Sequence, residues 1–356
     1  MPGLGSTGGG KWQLSVGWRQ SNADRSYFKS HVNHDFTHNW GPQLRLSILD
    51  ATAAYKINNR VSVQTTLPIV MNKYSELFPP NGSGLLGATD RRFGWSPTGI
   101  GDVTVYTQSW LLKPMDHPFS NVALGVGIKI PSGDWNVQRV LPNLDGTGFL
   151  NRAVYPPSVM PGDGGTGIIF GGTAFRTFRK PLFLRGQTVF ASASYLCNPR
   201  DTNGTSSIVS SLGVPLAPQF FNRLTNSVTD SYNIQVGASL KVPGTWDKPK
   251  LKGLRSRLVY GWQGIPTHDL IGGSSGYRQP GYAMSFAPGF TYAYKNNLII
   301  ADVPIAFAKY INPGDSAIPD SPVQTAHGVV PAPFTPKRNL GLIAPVGISL
   351  RYVRTF

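Results

Sequence analysis

His31, His34 and His38 recur three and four residues apart, close enough for three imidazoles to ligate a transition metal if they converge. Their segment reads as a polar loop, so solvated histidines are the expectation and no metal is assigned. Gly272-Gly273-Ser274-Ser275-Gly276 fits the G-x-S-x-G pattern of a nucleophile elbow. That elbow needs a strand-to-helix turn, and here the motif falls in a loop between two strands. Gly3-Leu4-Gly5-Ser6-Thr7-Gly8 fits G-x-G-x-x-G, yet no strand precedes it and no helix follows. No strand predicted below carries a histidine, so a Ser–His pair on a sheet wall is not available. Cys197 is the single cysteine, which rules out an intramolecular disulfide, and it reads as a thiol without a role. The chain is therefore expected to be no enzyme, with no catalytic residue and no cofactor.

What remains is fixed charge. Arg19, Arg45, Lys129, Arg255, Arg257 and Arg351 alternate with apolar neighbours, as do the acids Asp102 and Asp302. On a strand such alternation sends the charged set to one face and the apolar set to the other. Cations gathered on the inner wall of a pore attract anions through their field, with no bond made or broken. The same residues in a dry interior would have to pair with each other and with loop carboxylates. The sequence leaves both readings open.

The elements that would hold these charges follow a period of two. Lys11 to Gln20 reads K-W-Q-L-S-V-G-W-R-Q, with Trp12, Leu14, Val16 and Trp18 on one face. Indoles at both ends of an apolar face suit the two borders of a membrane. The pattern returns along the chain. Strands are predicted over Gln43 to Tyr55, Arg60 to Asn72, Asp102 to Leu112, Asn121 to Pro131, Thr166 to Phe178 and Leu182 to Leu196. Others follow over Asp230 to Lys241, Leu254 to Ile265, Gly281 to Tyr294, Leu298 to Tyr310 and Leu340 to Phe356. The second has Leu44, Leu46 and Ile48 on one face, and its phase slips near Leu49 and Asp50, which predicts a bulge. Facing is not fixed by the pattern in the fourth, sixth and seventh. The connections alternate long and short, beginning with a long polar loop from Ser21 to Pro42. Barrels of the outer membrane do this, with short periplasmic turns and long outer loops.

Composition agrees. The chain has 356 residues with 41 Gly and 30 Pro, only 14% are charged, and no apolar run reaches the length of a membrane helix. Net charge is +16, but the cations are scattered, so loops near lipid phosphates and a pore wall fit better than nucleic acid. The expected fold is all-β, a transmembrane antiparallel β-barrel of about twelve strands in a bacterial outer membrane. Residues 1–10 read as a flexible N-terminal tail and 11–356 as one barrel. No signal peptide opens the chain, so a leader is expected to have been removed. Trp12, Trp18, Trp262, Tyr292, Tyr352 and Phe356 are the expected membrane-interface aromatics.

Several stretches resemble a family of bacterial outer-membrane β-barrels assigned to transport in a phenol-degradation meta pathway. They are Gly99 to Val105, Val122 to Asp134, Pro161-Gly162-Asp163-Gly164, Asp201-Thr202-Asn203-Gly204, Gly264 to Leu270 and Pro288 to Tyr292. The resemblance implies an outer-membrane location and movement of small organic compounds. It supplies no catalytic residue. Val346, Ile348, Leu350, Tyr352 and the final Phe356 resemble the C-terminal signal read by the barrel-assembly machinery, with Arg354 as a departure. Fatty-acid and aromatic-hydrocarbon channels are a rival likeness, but they place a plug before the first strand, and here that strand starts about ten residues in. The first functional expectation is passive uptake of small organic solutes, anionic or aromatic, through a porin-like channel amid outer-membrane lipids and lipopolysaccharide. The alternative is a closed barrel whose long loops dock a surface protein or a second copy.

Overall fold

The computed structural model describes residues 10–37, 42–78, 91–142, 149–153, 157–207, 218–245, 248–312, 318–319, 336–338 and 341–356. The G-x-G-x-x-G segment, most of the expected tail, and His38 lie outside them.

Twelve strands form the wall. They are β1 (Trp12–Ala23), β2 (Gln43–Lys56), β3 (Val61–Met71), β4 (Val103–Trp110), β5 (Ser120–Ile130) and β6 (Gly167–Thr177). The second half is β7 (Thr188–Cys197), β8 (Ser231–Lys241), β9 (Leu254–Ile265), β10 (Gly281–Tyr294), β11 (Asn297–Asp302 and Ile305–Ile311) and β12 (Val346–Thr355). Each pairs antiparallel with its sequence neighbours, and β12 pairs with β1, which closes the barrel. Closure leaves no unpaired edge, the condition for a sheet to stand in lipid.

Register fixes the faces, because residues directly opposite share one. Leu14, Val16, Val122, Leu124, Val126, Ile128, Val236 and Leu258 are outermost and 40–55% exposed. A water-soluble sandwich would bury such residues; a barrel turns them to lipid. Rings collect at two heights on this face. At the outer end Trp262 meets Tyr232 edge-on at 5.5 Å, and Tyr282 stacks on Tyr310 at 5.5 Å. At the other end Trp12 lies 4.8 Å from Tyr55, and Tyr292 stacks on Tyr294 at 6.5 Å. Short connections join strands at that second end, which is the periplasmic one. In the one between β2 and β3 the Asn58 carboxamide oxygen accepts the N–H groups of Arg60 and Val61, at 2.8 and 2.9 Å, as an Asx turn requires.

The structure corrects the expected elements in five places. The strand β2 has no bulge: its register with β1 and β3 runs unbroken, and Leu49, Ala51, Ala53 and Tyr55 face out. The apparent slip arises because Leu44 and Leu46 face inward, against a cluster of Ala23, Tyr74, Trp95, Val159 and Met160. Tyr74 and Trp95 reach that cluster from a strand hairpin above β2, Lys73–Phe78 with Arg91–Trp95, and Val159 and Met160 from an outer loop, so apolar inward positions are stable there. The expected strand from Leu182 begins at Thr188, since Leu182–Leu184 form a short 3-10 turn. The eleventh strand breaks at Val303 and Pro304, where proline has no N–H for the ladder. The last wall strand starts at Val346 rather than Leu340; Gly341 and Leu342 pair instead with Ser26 and Tyr27. Finally, the stretch from Ser21 to Pro42 is not all loop, for Arg25–Phe28 and His31–Thr37 form a small hairpin that carries His31 and His34.

Candidate functional site

A belt of charge crosses the lumen. Strand register builds it in two inward rows. In the first, Arg19 on β1 stands opposite Ser349 on β12, which stands opposite Asp302 on β11. In the second, Gly17 stands opposite Arg351 on β12 and Asp50 on β2. Arg257 on β9 reaches the belt through Gly289, which faces both Arg257 and Asp302.

The contacts follow from these rows. Arg257 Nε lies 3.0 Å from the Asp302 carboxylate, with both side chains largely buried. Arg19 Nε lies 3.2 Å from Asp50 Oδ2, and the Arg19 side chain is 59% exposed to the lumen. The Arg351 guanidinium covers the bare backbone of Gly17, where an added Cβ would come within 3.3 Å of its Nε. Arg351 has no carboxylate within ion-pair distance among the described residues; the charges it faces are Asp50, Arg19 and Arg257. Three guanidiniums thus meet two carboxylates, and the belt carries one net positive charge. Arg257 is further held by the Phe190 ring, 4.6 Å below its guanidinium carbon.

Cavities lie on both sides of the belt. The outer chamber is about 650 Å³ and is lined by Leu44, Leu46, Ile169, Leu196, Ile265 and Leu342 among others. Among the described residues its one charged lining residue is Lys129. Lys129 is held by Asp102 at 3.3 Å and by Asp163 from the following loop. Burial, then the negative charge of Asp163, push the Asp102 carboxyl above its ordinary range. The second cavity, about 200 Å³, opens toward the periplasmic end beneath Arg351. Amides and hydroxyls line it, Gln13, Ser15, Thr52, Gln64, Gln108 and Thr355, together with the cations Lys11, Lys56 and Arg60.

The charged residues singled out from sequence separate into three sets. Arg19, Arg257, Asp302 and Arg351 come together in the belt. Lys129 and Asp102 sit at the outer rim, and Arg255 sits at the periplasmic end, bonded to Ser239 and to the Gly186 carbonyl at 2.6 Å. Arg45 does not face the lumen, contrary to expectation. It pairs with the outward Asn22 and Lys73, and lies on the outer wall, because the first half of β2, Leu44 to Ile48, has the reverse of the expected facing. The same misreading hid Asp50, whose inward position is visible once Gly17 is set opposite it. Asp163 stood in the sequence only as part of the Pro161–Gly164 resemblance, and a loop delivers it to Lys129. Of the aromatics, Trp12, Trp18, Trp262, Tyr292, Tyr352 and Phe356 lie on or continue the outer face, with Trp18 donating to Ser47 Oγ at 3.2 Å.

The serine motif has become scaffold. Ser274 Oγ accepts the Asp269 N–H at 2.8 Å, and Ser275 binds the Asp201 carboxylate through its N–H and its hydroxyl. Around it Asp269 pairs with Arg278, both essentially without solvent contact, and Asp230 accepts from the Asn198 and Leu270 N–H groups and the Tyr195 hydroxyl. These bonds fasten the outer loops to the rim.

The chain is similar along its whole length to an outer membrane channel from Pseudomonas putida F1. Identity is 13%, 100% of this chain and 99% of that chain are covered, and the TM-score is 0.57. Looser likenesses are to the translocator domain of the autotransporter NalP from Neisseria meningitidis, with 9% identity, 99% and 91% coverage and a TM-score of 0.44. The toluene transporter TodX from P. putida gives 9%, 99%, 92% and 0.44. The first likeness shows the fold, an outer-membrane β-barrel. No family model matches the sequence, and no curated protein does.

Proposed function

We propose that this barrel is a passive outer-membrane channel for small organic solutes and that it favours anions. The observation that carries the reading is a half-apolar chamber resting on a belt with one surplus guanidinium. A solute with an apolar body and a carboxylate would place its body against Leu46, Ile169 and Leu196, and its charge toward Arg19 and Arg351. Its attraction is electrostatic, so no residue of the belt is assigned a chemical step. The fold likeness to an outer membrane channel is consistent with this reading. The family resemblance in the motifs adds small organic compounds of the aromatic kind.

The test is conductance in planar bilayers with a salt gradient. A reversal potential on the anion side supports the proposal, and cation preference overturns it.

One observation favours a second reading, a closed barrel acting through its loops. The outer mouth is narrowed from within by Tyr74, Trp95, Val159 and Met160, which are buried. Absence of conductance, together with capture of a surface protein or a second copy by the outer loops, would favour it.

A further inference from the structure

The periplasmic end concentrates positive charge. Its five connections carry Arg60, Lys113, Arg179, Lys180, Arg185, Lys248, Lys250, Lys252 and Lys295 against two acids, Asp116 and Asp247. Two adjacent connections add exposed apolar groups. The Thr177 N–H donates to the Phe119 carbonyl at 2.6 Å, joining the β6–β7 connection to the β4–β5 connection. The Arg179 guanidinium lies over the Phe119 ring at 4.9 Å. On the same turn Leu182 and Phe183 are 82% and 78% exposed, and Met115 next door is 79% exposed. Arg176 stands on the outer wall of β6, in register with Ser120, with its guanidinium 5.7 Å from the Phe178 ring. None of Arg176, Arg179, Lys180 and Arg185 has a carboxylate within ion-pair distance among the described residues.

This patch continues the lipid-facing band. Leu111 donates its N–H to Val122, the first of the outward apolar residues of β5. Cations ringed by exposed apolar side chains at the border of a hydrocarbon layer match one kind of surface: anionic headgroups above acyl chains. A purely electrostatic docking site for an acidic protein would give no reason for Leu182 and Phe183 to stand in water.

We propose that Arg176, Arg179 and Lys180 hold the phosphate of an anionic phospholipid of the inner leaflet, while Leu182 and Phe183 enter the layer beneath it. Side chains of this kind place the charge at the headgroup and the stem against the chains. The site is independent of whatever crosses the lumen.

The experiment uses the full chain in mixed micelles containing equal palmitoyl-oleoyl phosphatidylglycerol and phosphatidylcholine. Lipid retained by the barrel is counted by native mass spectrometry. Wild type is expected to retain the anionic lipid several-fold over the zwitterionic one, and R176Q/R179Q/K180Q to lose roughly fivefold or more of that preference. L182S/F183S is expected to lower retention of both lipids. Resistance of the folded band to unheated electrophoresis shows that each variant is a closed barrel, and R60Q, on another connection, controls for charge alone. Equal retention of the two lipids by wild type, or an unchanged preference in the triple variant, would overturn the proposal. So would displacement of the lipid by soluble polyglutamate at low micromolar concentration, which would mark the patch as a protein-docking surface.

Discussion

The Tyr106 ring lies flat on the inner wall across the bare backbone of Gly125, so close that an added Cβ would collide with the phenol. Gly127 and Gly171 leave the same room on either side, with Tyr106 carbon and oxygen atoms 2.9 and 2.6 Å from the position of a Cβ. Three neighbouring inward glycines thus form a trough that keeps a large side chain out of the lumen. Gly125→Ala is expected to push the ring into the channel and also to press β5 away from the Thr107 carbonyl, 2.5 Å from the added Cβ, at a cost of about 3 kcal/mol for overpacking. Single-channel conductance should fall and the denaturant midpoint should drop. In Tyr106→Ala the conductance should rise instead. Equal conductance in both variants would show that Tyr106 does not set the free cross-section.

Removing Asp302 tests the belt from its acidic side. Arg257 and Asp302 are 8% and 14% exposed, so Asp302→Asn leaves a guanidinium with little water around it. The expected loss of stability is about 3 kcal/mol, at the low end for a broken buried pair. The belt's surplus rises by one charge, so anion preference should increase in reversal-potential measurements. A stability change without any change in selectivity would place Asp302 outside the permeation path.

How much of this was legible in the sequence depends on what each residue packs against. Where lipid lies on one face and water on the other, alternation reported facing correctly: Val122 to Ile130 on β5 and Leu258 to Trp262 on β9 stand as their pattern predicts. On the first half of β2 it did not, because Leu44 and Leu46 meet an apolar cluster inside the barrel that includes Tyr74, Trp95, Val159 and Met160. An inward leucine there is as well buried as an outward one is in lipid, and composition cannot tell the two apart. The belt was legible in part. Arg19, Arg257, Asp302 and Arg351 follow from parity alone, while Asp50 needed the register between β1 and β2, and Asp163 needed the course of a loop.

Acidity should report on the outer rim. Asp102 precedes β4 at the outer end, and its carboxyl is raised above the usual 3.8 by burial and by Asp163. A raised carboxyl binds its proton more tightly folded than unfolded. Its contribution to stability is therefore fully present below pH 3.8 and lost as pH rises through the folded value. Asp102→Asn removes that dependence. The difference in unfolding free energy, wild type minus variant, should fall as pH is raised through this window. A difference that is flat with pH would mean that Asp102 is as solvated in the barrel as in the unfolded chain.

Arg351 supplies the surplus on which the anion preference rests, since Arg19 and Arg257 each have a carboxylate at 3.2 and 3.0 Å. Arg351→Gln leaves two cations facing two anions, and the belt becomes neutral. Its side chain covers Gly17, so a glutamine of similar reach keeps much of the packing while losing the charge. Anion over cation permeability is expected to fall toward unity. The loss should be largest in dilute salt, where the Debye length is about 30 Å at 0.01 M, and small near 1 M, where it is about 3 Å. Arg255→Gln is the control: Arg255 lies at the periplasmic end, bonded to Ser239 and Gly186, and should change selectivity less. If Arg255→Gln reduces the preference and Arg351→Gln does not, the periplasmic mouth rather than the belt selects the ion.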